Sequence, residues 1–139
     1  MPLILFDYLI FPTVQEGKLL PIYIPRISIY LSIKHNITST DIKCILDSGS
    51  DFNLFPADIA EALGIKITKG KMREHIGIGN HTIIAYEHEV KLFVKDYNFK
   101  TTVHFSYDHK IPLLGRHSFF RFFKRVTFNE KALQVELEY

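Results

Sequence analysis

Residues 44–50 of this 139-residue chain read Cys44-Ile45-Leu46-Asp47-Ser48-Gly49-Ser50. The three residues at the start are typical of a buried strand, and they carry the Asp to the point where the strand ends. The Gly two positions later permits a tight turn, because glycine adopts backbone angles that other residues avoid. Chance produces Asp-Ser/Thr-Gly in roughly one chain in twenty of this length, so the tripeptide needs support from its surroundings.

Strand and helix patterns lie on both sides of this turn. Residues 27–34 alternate apolar with polar side chains, which predicts a strand with one wet face. After a polar turn, residues 42–46 form a second apolar run, so the two strands are predicted to pair as a hairpin. Pro56 suits the first turn of a helix, and helix formers then run to Gly64, which predicts a helix over residues 57–63.

The downstream half is predicted to be mostly strand. Residues 72–78 and 82–94 flank Gly79-Asn80, a typical hairpin turn. The remaining predicted elements are a strand over 99–105, an apolar run over 111–114, a second short helix over 116–123 and a closing hairpin of 126–128 with 133–137. The sequence therefore predicts a mainly β fold with one or two short helices.

Composition narrows the class of protein. The length is that of one domain. With 17 Lys+Arg against 15 Asp+Glu, the net charge of +2 gives no support for nucleic acid as a partner. The aromatic and basic run over 119–125 is interpreted as core packing with charged members in solvent. A single Cys excludes an intrachain disulfide framework and permits a reducing compartment, so we expect a cytoplasmic protein.

The first 14 residues are apolar enough to suggest a signal peptide. Asp7 interrupts the run, no basic segment precedes it and no small-residue cleavage pattern follows, so we expect a terminal strand instead. No stretch reaches the roughly 18 apolar residues of a membrane span, so no membrane partner is expected.

Seven His residues raise the question of a metal site. Zinc sites usually show short paired spacings such as His-x3-His, and the sequence has none. We therefore expect surface or half-buried histidines, no metal ion and no organic cofactor. Cys44 is predicted to be a small buried residue of a core strand.

Three motifs follow one another in an order that resembles the retropepsin-like aspartic peptidases. They are Ile45-Leu46-Asp47-Ser48-Gly49-Ser50, then Gly77-Ile78-Gly79, then Leu113-Leu114-Gly115-Arg116. Residues 55–65 also resemble the segment after the active-site turn in small cellular members of that family. The resemblance covers residues 26–139, taken as the protease domain, and leaves residues 1–25 as an N-terminal extension that forms a strand or edge segment. It implies a single-domain, homodimeric acid-protease β-barrel.

The implied activity is that of an aspartic endopeptidase with Asp47, Ser48 and Gly49 at its catalytic centre. This chemistry needs two carboxylates, and the chain has one Asp-Ser/Thr-Gly motif, so each subunit of a homodimer would contribute one Asp47. Two like charges held close together share one proton, which leaves one base for a water and one acid for the peptide carbonyl. By the resemblance, Ser48 bonds across the dimer and Gly49 brings backbone N–H groups to the carboxylates.

The resemblance also implies how a peptide is held. Residues 77–79 would form a flap that closes over the substrate, and Asp51 would face the peptide main chain. Leu114, Gly115 and Arg116 would support the site, with a bidentate Asp51–Arg116 ion pair bracing the turn. The alternative for that pair is two solvated charges. Residues predicted to line apolar subsites are Ile45, Ile78, Ile84 and Leu113.

Two other functions remain open at this stage. One is a peptide-binding or dimerisation module without proteolysis on the same scaffold, since a fold does not determine a function. The other is an enzyme that processes itself, with residues 1–25 trimmed. The intact Asp47-Ser48-Gly49 favours an enzyme, because a scaffold has no need to bury paired carboxylates. The expected partners are a second copy of the chain and a peptide or protein substrate.

Overall fold

The computed structural model describes residues 2–139, and strands dominate it. The strands are β1 (Leu3–Asp7), β2 (Leu9–Gln15), β3 (Lys18–Ile24), β4 (Arg26–Ile33), β5 (Asn36–Ile37), β6 (Ile42–Leu46), β7 (Leu54–Pro56), β8 (Lys71–Ile76), β9 (Thr82–Val94), β10 (Tyr97–Ser106), β11 (Leu113–Leu114), β12 (Arg125–Asn129) and β13 (Gln134–Glu138). One α-helix, α1 (Ala57–Ala62), and 3-10 turns at Ile67–Lys69 and Phe120–Phe122 complete the described elements.

Eight of the strands form one sheet, in which the six strands β4, β6, β11, β7, β10 and β9 close into a barrel and β5 and β8 lie at its edges. Their order is β5-β4-β6-β11-β7-β10-β9-β8, and a further antiparallel pairing of β4 with β9 closes the sheet on itself. The predicted pairing of the first two strands is confirmed, because β4 runs antiparallel to β6 with Ile27 opposite Cys44. The mainly β barrel predicted from the sequence is therefore the observed fold.

Alternation along the strands builds the barrel core. Ile27, Ile29 and Leu31 of β4 are at most 1% exposed, whereas Tyr30 between them lies at the surface. Burial of each such aliphatic side chain contributes about 1.5–3 kcal/mol to folding. Cys44 on β6 is fully buried, as predicted.

The helix predicted over residues 57–63 is confirmed, and the second predicted short helix is present only as a 3-10 turn within residues 116–123. Helix α1 follows Pro56, and Gly64 ends its last turn at φ +73°, a backbone angle that favours glycine. Residues 116–123 form instead a short 3-10 turn at Phe120–Phe122. The aromatic side chains determine this local shape, since Phe119 is buried and Phe122 stacks on Phe99 with ring centroids 4.1 Å apart. An α-helix would require a single apolar stripe, which this aromatic run lacks.

The N-terminal residues form two different structures. Strand β1 pairs with β13, which in turn pairs with β12, in a separate antiparallel sheet, and Ile4 of β1 belongs to the core. Strands β2 and β3 form a two-stranded hairpin whose side chains are mostly exposed. Within residues 2–139, no helix has the length and apolar character needed to cross a bilayer.

Candidate active site

The Asp47 turn follows directly from the end of β6. The N–H of Asp47 donates to the carbonyl of Leu114 over 2.9 Å, and the N–H of Ser50 donates to the carbonyl of Asp47 over 3.1 Å. The N–H of Gly49 donates to Oδ1 of Asp47 over 3.0 Å. A Cβ at residue 49 would lie 3.3 Å from that same Oδ1. The turn therefore fixes one carboxylate oxygen through the backbone, and glycine lets it approach.

A second segment braces this turn from behind. Strand β11 is parallel to β6, with Leu114 opposite Leu46, so the two chain segments leave the barrel side by side. Immediately after β11, the N–H of Arg116 donates to the carbonyl of Ser50 and the N–H of His117 donates to that of Asp51, both over 2.7 Å. Backbone hydrogen bonds thus tie residues 115–117 to the Asp47 turn.

The predicted bidentate ion pair between Asp51 and Arg116 is wrong for the isolated chain. No ion pair joins these two side chains among the residues that the structure describes. Both side chains are exposed and line a shallow groove together with Phe120 and Arg121. Exposed charge pairs contribute little, and the backbone bonds already hold the two loops together, so the brace needs no ion pair.

Asn53 holds the site together, and it was not among the residues predicted from the sequence. It is fully buried, and its Nδ2 donates to the carbonyls of Thr102 and Ser118, each over 3.1 Å. Its Oδ1 accepts the N–H of Gly115 over 3.0 Å. The signal that could have revealed it is an amide inside the run Phe52-Asn53-Leu54-Phe55, because a polar group buried among apolar residues must find partners.

A hairpin of β8 and β9 stands over the Asp47 turn. At its tip the N–H of Gly77 donates to the carbonyl of His81 over 2.8 Å, and both Gly79 and Asn80 have positive φ. Ile78 at the tip is fully exposed, at 101%. This confirms the hairpin predicted around Gly79-Asn80, with an apolar residue presented to solvent.

A cleft of about 940 Å³ separates the hairpin from the Asp47 turn. Of the residues predicted for the site, Asp47, Gly49, Asp51, Gly77, Ile78 and Leu113 line it. The cleft has Ile83 in its lining and not the predicted Ile84, whose carbonyl accepts the Ser106 hydroxyl. Ile45, Ser48 and Gly79 lie outside the lining. Further lining residues are Ser50, Phe52, Leu54, Arg73, Glu74, His75, Ile76, Glu87, His104, His109 and His117.

Comparisons of sequence and of structure gave different results. No protein-family model matches the sequence, and no curated protein matches it either. The crystal structure of a retropepsin-like aspartic protease from Rickettsia conorii superposes with a TM-score of 0.62, covering 99% of this chain and 94% of that chain. The chain has the retropepsin-like fold. The sequence identity of that pair is 20%. The EIAV protease in complex with the inhibitor HBY-793 is also similar, at 20% identity and a TM-score of 0.48, over 75% of this chain and 88% of that chain.

In this retropepsin-like chain, one wall of the cleft is a hydrogen-bonded histidine relay. His104 is 1% exposed, and its Nε2–H donates to Oε1 of Glu87 over 3.1 Å, since a carboxylate only accepts. Its Nδ1 then accepts the Nε2–H of His75 over 2.7 Å. Arg73 lies 3.4 Å from the same Glu87 carboxylate, and Phe52 stacks on His104 with ring centroids 4.7 Å apart.

Burial and hydrogen bonding within the relay determine the direction in which the pKa of His104, His75 and Glu87 shifts. Burial lowers the pKa of His104, and the charges of His75 and Arg73 act in the same direction, against the hydrogen bond to Glu87. Burial also lowers the pKa of His75. Burial alone would raise the pKa of Glu87, but the hydrogen bonds from His104 and Arg73 lower it overall. At neutral pH the relay is therefore two neutral imidazoles on an ionised carboxylate.

Acidification should destabilise the chain through this relay. Because the folded-state pKa of His104 is depressed, the unfolded chain binds more protons as pH falls below about 6.5, and the free energy of unfolding falls with it. The slope is at most about 1.4 kcal/mol per pH unit for each such group. Urea unfolding between about pH 5 and 7.5 should show a flatter dependence for His104→Gln than for wild type. His35→Gln, at an exposed turn, is the control, and an equal flattening there would contradict the assignment.

Gly115 allows the close contact between residues 115–117, the bracing segment, and the Asp47 turn. A Cβ at this position would lie 2.6 Å from both the N and the O of Phe52. Gly115→Ala is therefore expected to lower the free energy of unfolding by about 2–3 kcal/mol, measured by urea unfolding. Gly77→Ala is the matched control, because its nearest contact would be 3.9 Å away. Equal losses in the two variants would show that the contact at Phe52 is not the cause.

Proposed function

We propose that the chain is an aspartic endopeptidase whose active site forms in a homodimer, with one Asp47 from each subunit. The observation that carries the proposal is the Asp47 carboxylate, held by the Gly49 N–H at the floor of a cleft beneath a glycine-containing hairpin. The retropepsin-like fold supports it, and so does the number of motifs, since one Asp per chain cannot supply two carboxylates.

The chemistry requires the two Asp47 side chains to act differently. When two carboxylates lie within a few ångström of each other, ionisation of one disfavours ionisation of the other, so the pair retains one proton. The ionised member takes a proton from a bound water, which attacks the peptide carbonyl, while the protonated member donates its proton to the carbonyl oxygen. The tetrahedral intermediate then collapses when the Asp47 that took the water proton gives it to the departing amine nitrogen and the other Asp47 takes back its proton from the former carbonyl oxygen. The proposal includes no metal and no cofactor.

A peptide would bind as an extended strand between the hairpin and the floor of the cleft. Residues 77–79 would close over it, with Ile78 contacting the peptide or the partner's hairpin. Leu113 and Ile83 offer apolar surface inside the cleft, and Asp51 would accept main-chain N–H groups. In this proposal Ser48, exposed in the single chain, bonds across the dimer.

The proposal assigns distinct parts to the two segments of the chain. Residues 26–139 hold the catalytic elements. Residues 1–25 add strand β1 to the terminal sheet and form the separate β2–β3 hairpin.

The one Cys is buried and unpaired, and burial raises the pKa of its thiol. An inert reduced thiol is compatible with the cytoplasm, which we propose as the compartment.

Cleavage of a diverse peptide library between about pH 4 and 7 tests the proposal. We expect wild-type protein to cut extended peptides at bonds flanked by apolar residues, with products identified by mass spectrometry. Absence of cleavage across this range, by protein shown to be folded and dimeric, would favour a peptide-binding module instead.

A further inference from the structure

Two histidines of the cleft, His75 and His109, each use Nε2 as a hydrogen-bond donor. Nε2 of His75 donates to His104, and Nε2 of His109 donates to the carbonyl of Ile111. The Nδ1 atom of each ring has no hydrogen-bond partner within residues 2–139. Both rings line the cleft that contains Asp47. Each imidazole can therefore accept a proton at Nδ1 and then present an N–H donor to a bound molecule.

The two rings line the same cleft, and the charge of His109 acts on His75. Burial lowers the pKa of His75, and the charge of His109 lowers it further. Burial likewise lowers the pKa of His109, against its hydrogen bond to Ile111. Phe52 lies edge-on to the His75 ring with centroids 6.3 Å apart, and it stacks on His104, which keeps the relay in place.

Within residues 2–139, no carboxylate of the cleft is hydrogen-bonded to His75 or His109. Glu87 already accepts from His104 and lies beside Arg73, and Oδ1 of Asp47 accepts the Gly49 N–H. The remaining acids on the cleft wall are exposed, so solvent screens them. The charged and titratable groups that line the cleft with His75 and His109 are Arg73 and Glu74 from β8, Glu87 from β9, His104 from β10, Asp47 and Asp51 from the active-site turn, and His117 after β11.

We propose that His75 and His109 form a subsite for an acidic side chain, Asp or Glu, of the bound peptide. A carboxylate between the two rings offsets their mutual repulsion and accepts an N–H from each protonated Nδ1. His75 and His109 then determine which peptide side chain is preferred at this subsite, while the apolar residues of the cleft hold the neighbouring side chains of the peptide. The assignment rests on the proposed function, because it takes the cleft to be a peptide site.

The subsite works only when its histidines are charged. Burial lowers the pKa of both rings, so an acidic side chain would bind together with protons, and at acidic pH it should be preferred over its amide counterpart. At about pH 8 both rings are neutral, and the preference should vanish. Residues 2–139 contain no group of three or more His, Cys, Asp or Glu side chains suited to hold a metal ion.

Binding to the full-length Asp47→Asn protein tests the subsite separately from catalysis. The probes are fluorescent octapeptides in which each position in turn is Glu or Gln, and the readout is anisotropy at pH 5.5 and pH 8. At one position we expect the Glu peptide to bind about tenfold more tightly than the Gln peptide at pH 5.5, and equally at pH 8. In the same background, His75→Gln and His109→Gln should each abolish the preference, and His35→Gln, at an exposed turn outside the cleft lining, should keep it.

Histidine NMR signals supply a readout that loss of folding would not imitate. Binding of the Glu peptide should raise the pKa of His75 and His109, because a nearby carboxylate favours the charged imidazole. Equal binding of Glu and Gln peptides at every position at pH 5.5, or no binding of either, would overturn the subsite. Wild-type cleavage of the same peptides without a Glu preference would leave the proposed function intact. A Glu preference in binding, with no cleavage by wild type, would support the subsite and reject the peptidase.

Discussion

Asp47→Asn should lower the rate of peptide cleavage by about a thousandfold or more. An amide can neither take a proton from the attacking water nor donate one in the manner of a carboxylic acid, and in the proposed dimer the substitution removes both catalytic groups together. Asn has nearly the shape of Asp, and its Oδ1 can still accept the Gly49 N–H that orients residue 47. Folding should therefore be preserved, and the loss should appear in kcat.

Asp96→Asn is the matched control for this loss. Asp96 lies exposed in the turn between β9 and β10 and does not line the cleft, so the same chemical change there should leave the cleavage rate within about twofold. Initial rates on one peptide selected from the library, at the pH of highest activity, give the comparison. Undiminished cleavage by purified Asp47→Asn protein would mean that a different group performs the chemistry.

Asn53→Ala should lower the free energy of unfolding by about 3–5 kcal/mol. The substitution removes the partners of the Thr102 and Ser118 carbonyls and of the Gly115 N–H, and each buried polar group left without a partner costs about 1–3 kcal/mol. These three groups belong to the barrel wall, to the loop after β11 and to the bracing segment. The Asp47 turn should therefore loosen as well. The kcat of the protein that remains folded should then fall too.

The controls separate the hydrogen bonds of Asn53 from its side-chain volume. Asn53→Asp keeps an acceptor for Gly115 but places a second oxygen against two carbonyls, so it should be at least as damaging as Ala. Asn98→Ala, at an exposed position of β10, should change the free energy of unfolding by less than about 0.5 kcal/mol. Urea unfolding measures all three variants. A loss of under about 1 kcal/mol for Asn53→Ala would show that water replaces the amide.

Local patterns predicted the parts of the fold that depend on neighbours in sequence. The alternation in β4 reports which face is buried, and Pro56 and Gly64 mark the ends of α1 because their backbone limits are local properties. The Asp47 turn was located for the same reason, since an apolar run that ends in Asp-Ser-Gly carries both the strand and its turn.

The features that escaped prediction depend on distant parts of the chain. Asn53 acts through residues far from it in sequence, and no spacing rule connects it to Ser118. His104 and Glu87 meet across two strands, so the sequence suggested only surface or half-buried histidines. Ile83 and Ile84 are neighbours whose side chains point to opposite faces, and a shift of one residue in register decides which of them enters the cleft. The Asp51–Arg116 pair was inferred from resemblance alone, and in this chain backbone bonds replace it.

The central claim is that each active site contains one Asp47 from each of two subunits, and mixing wild-type with Asp47→Asn protein tests it most directly. The two proteins are refolded together at a fixed total concentration, and cleavage is measured as the wild-type fraction is varied. If both carboxylates are needed, activity follows the square of that fraction, so an equal mixture retains about a quarter of the wild-type rate. Retention of about half, in direct proportion to the wild-type fraction, would mean that each chain works alone and would contradict the shared site.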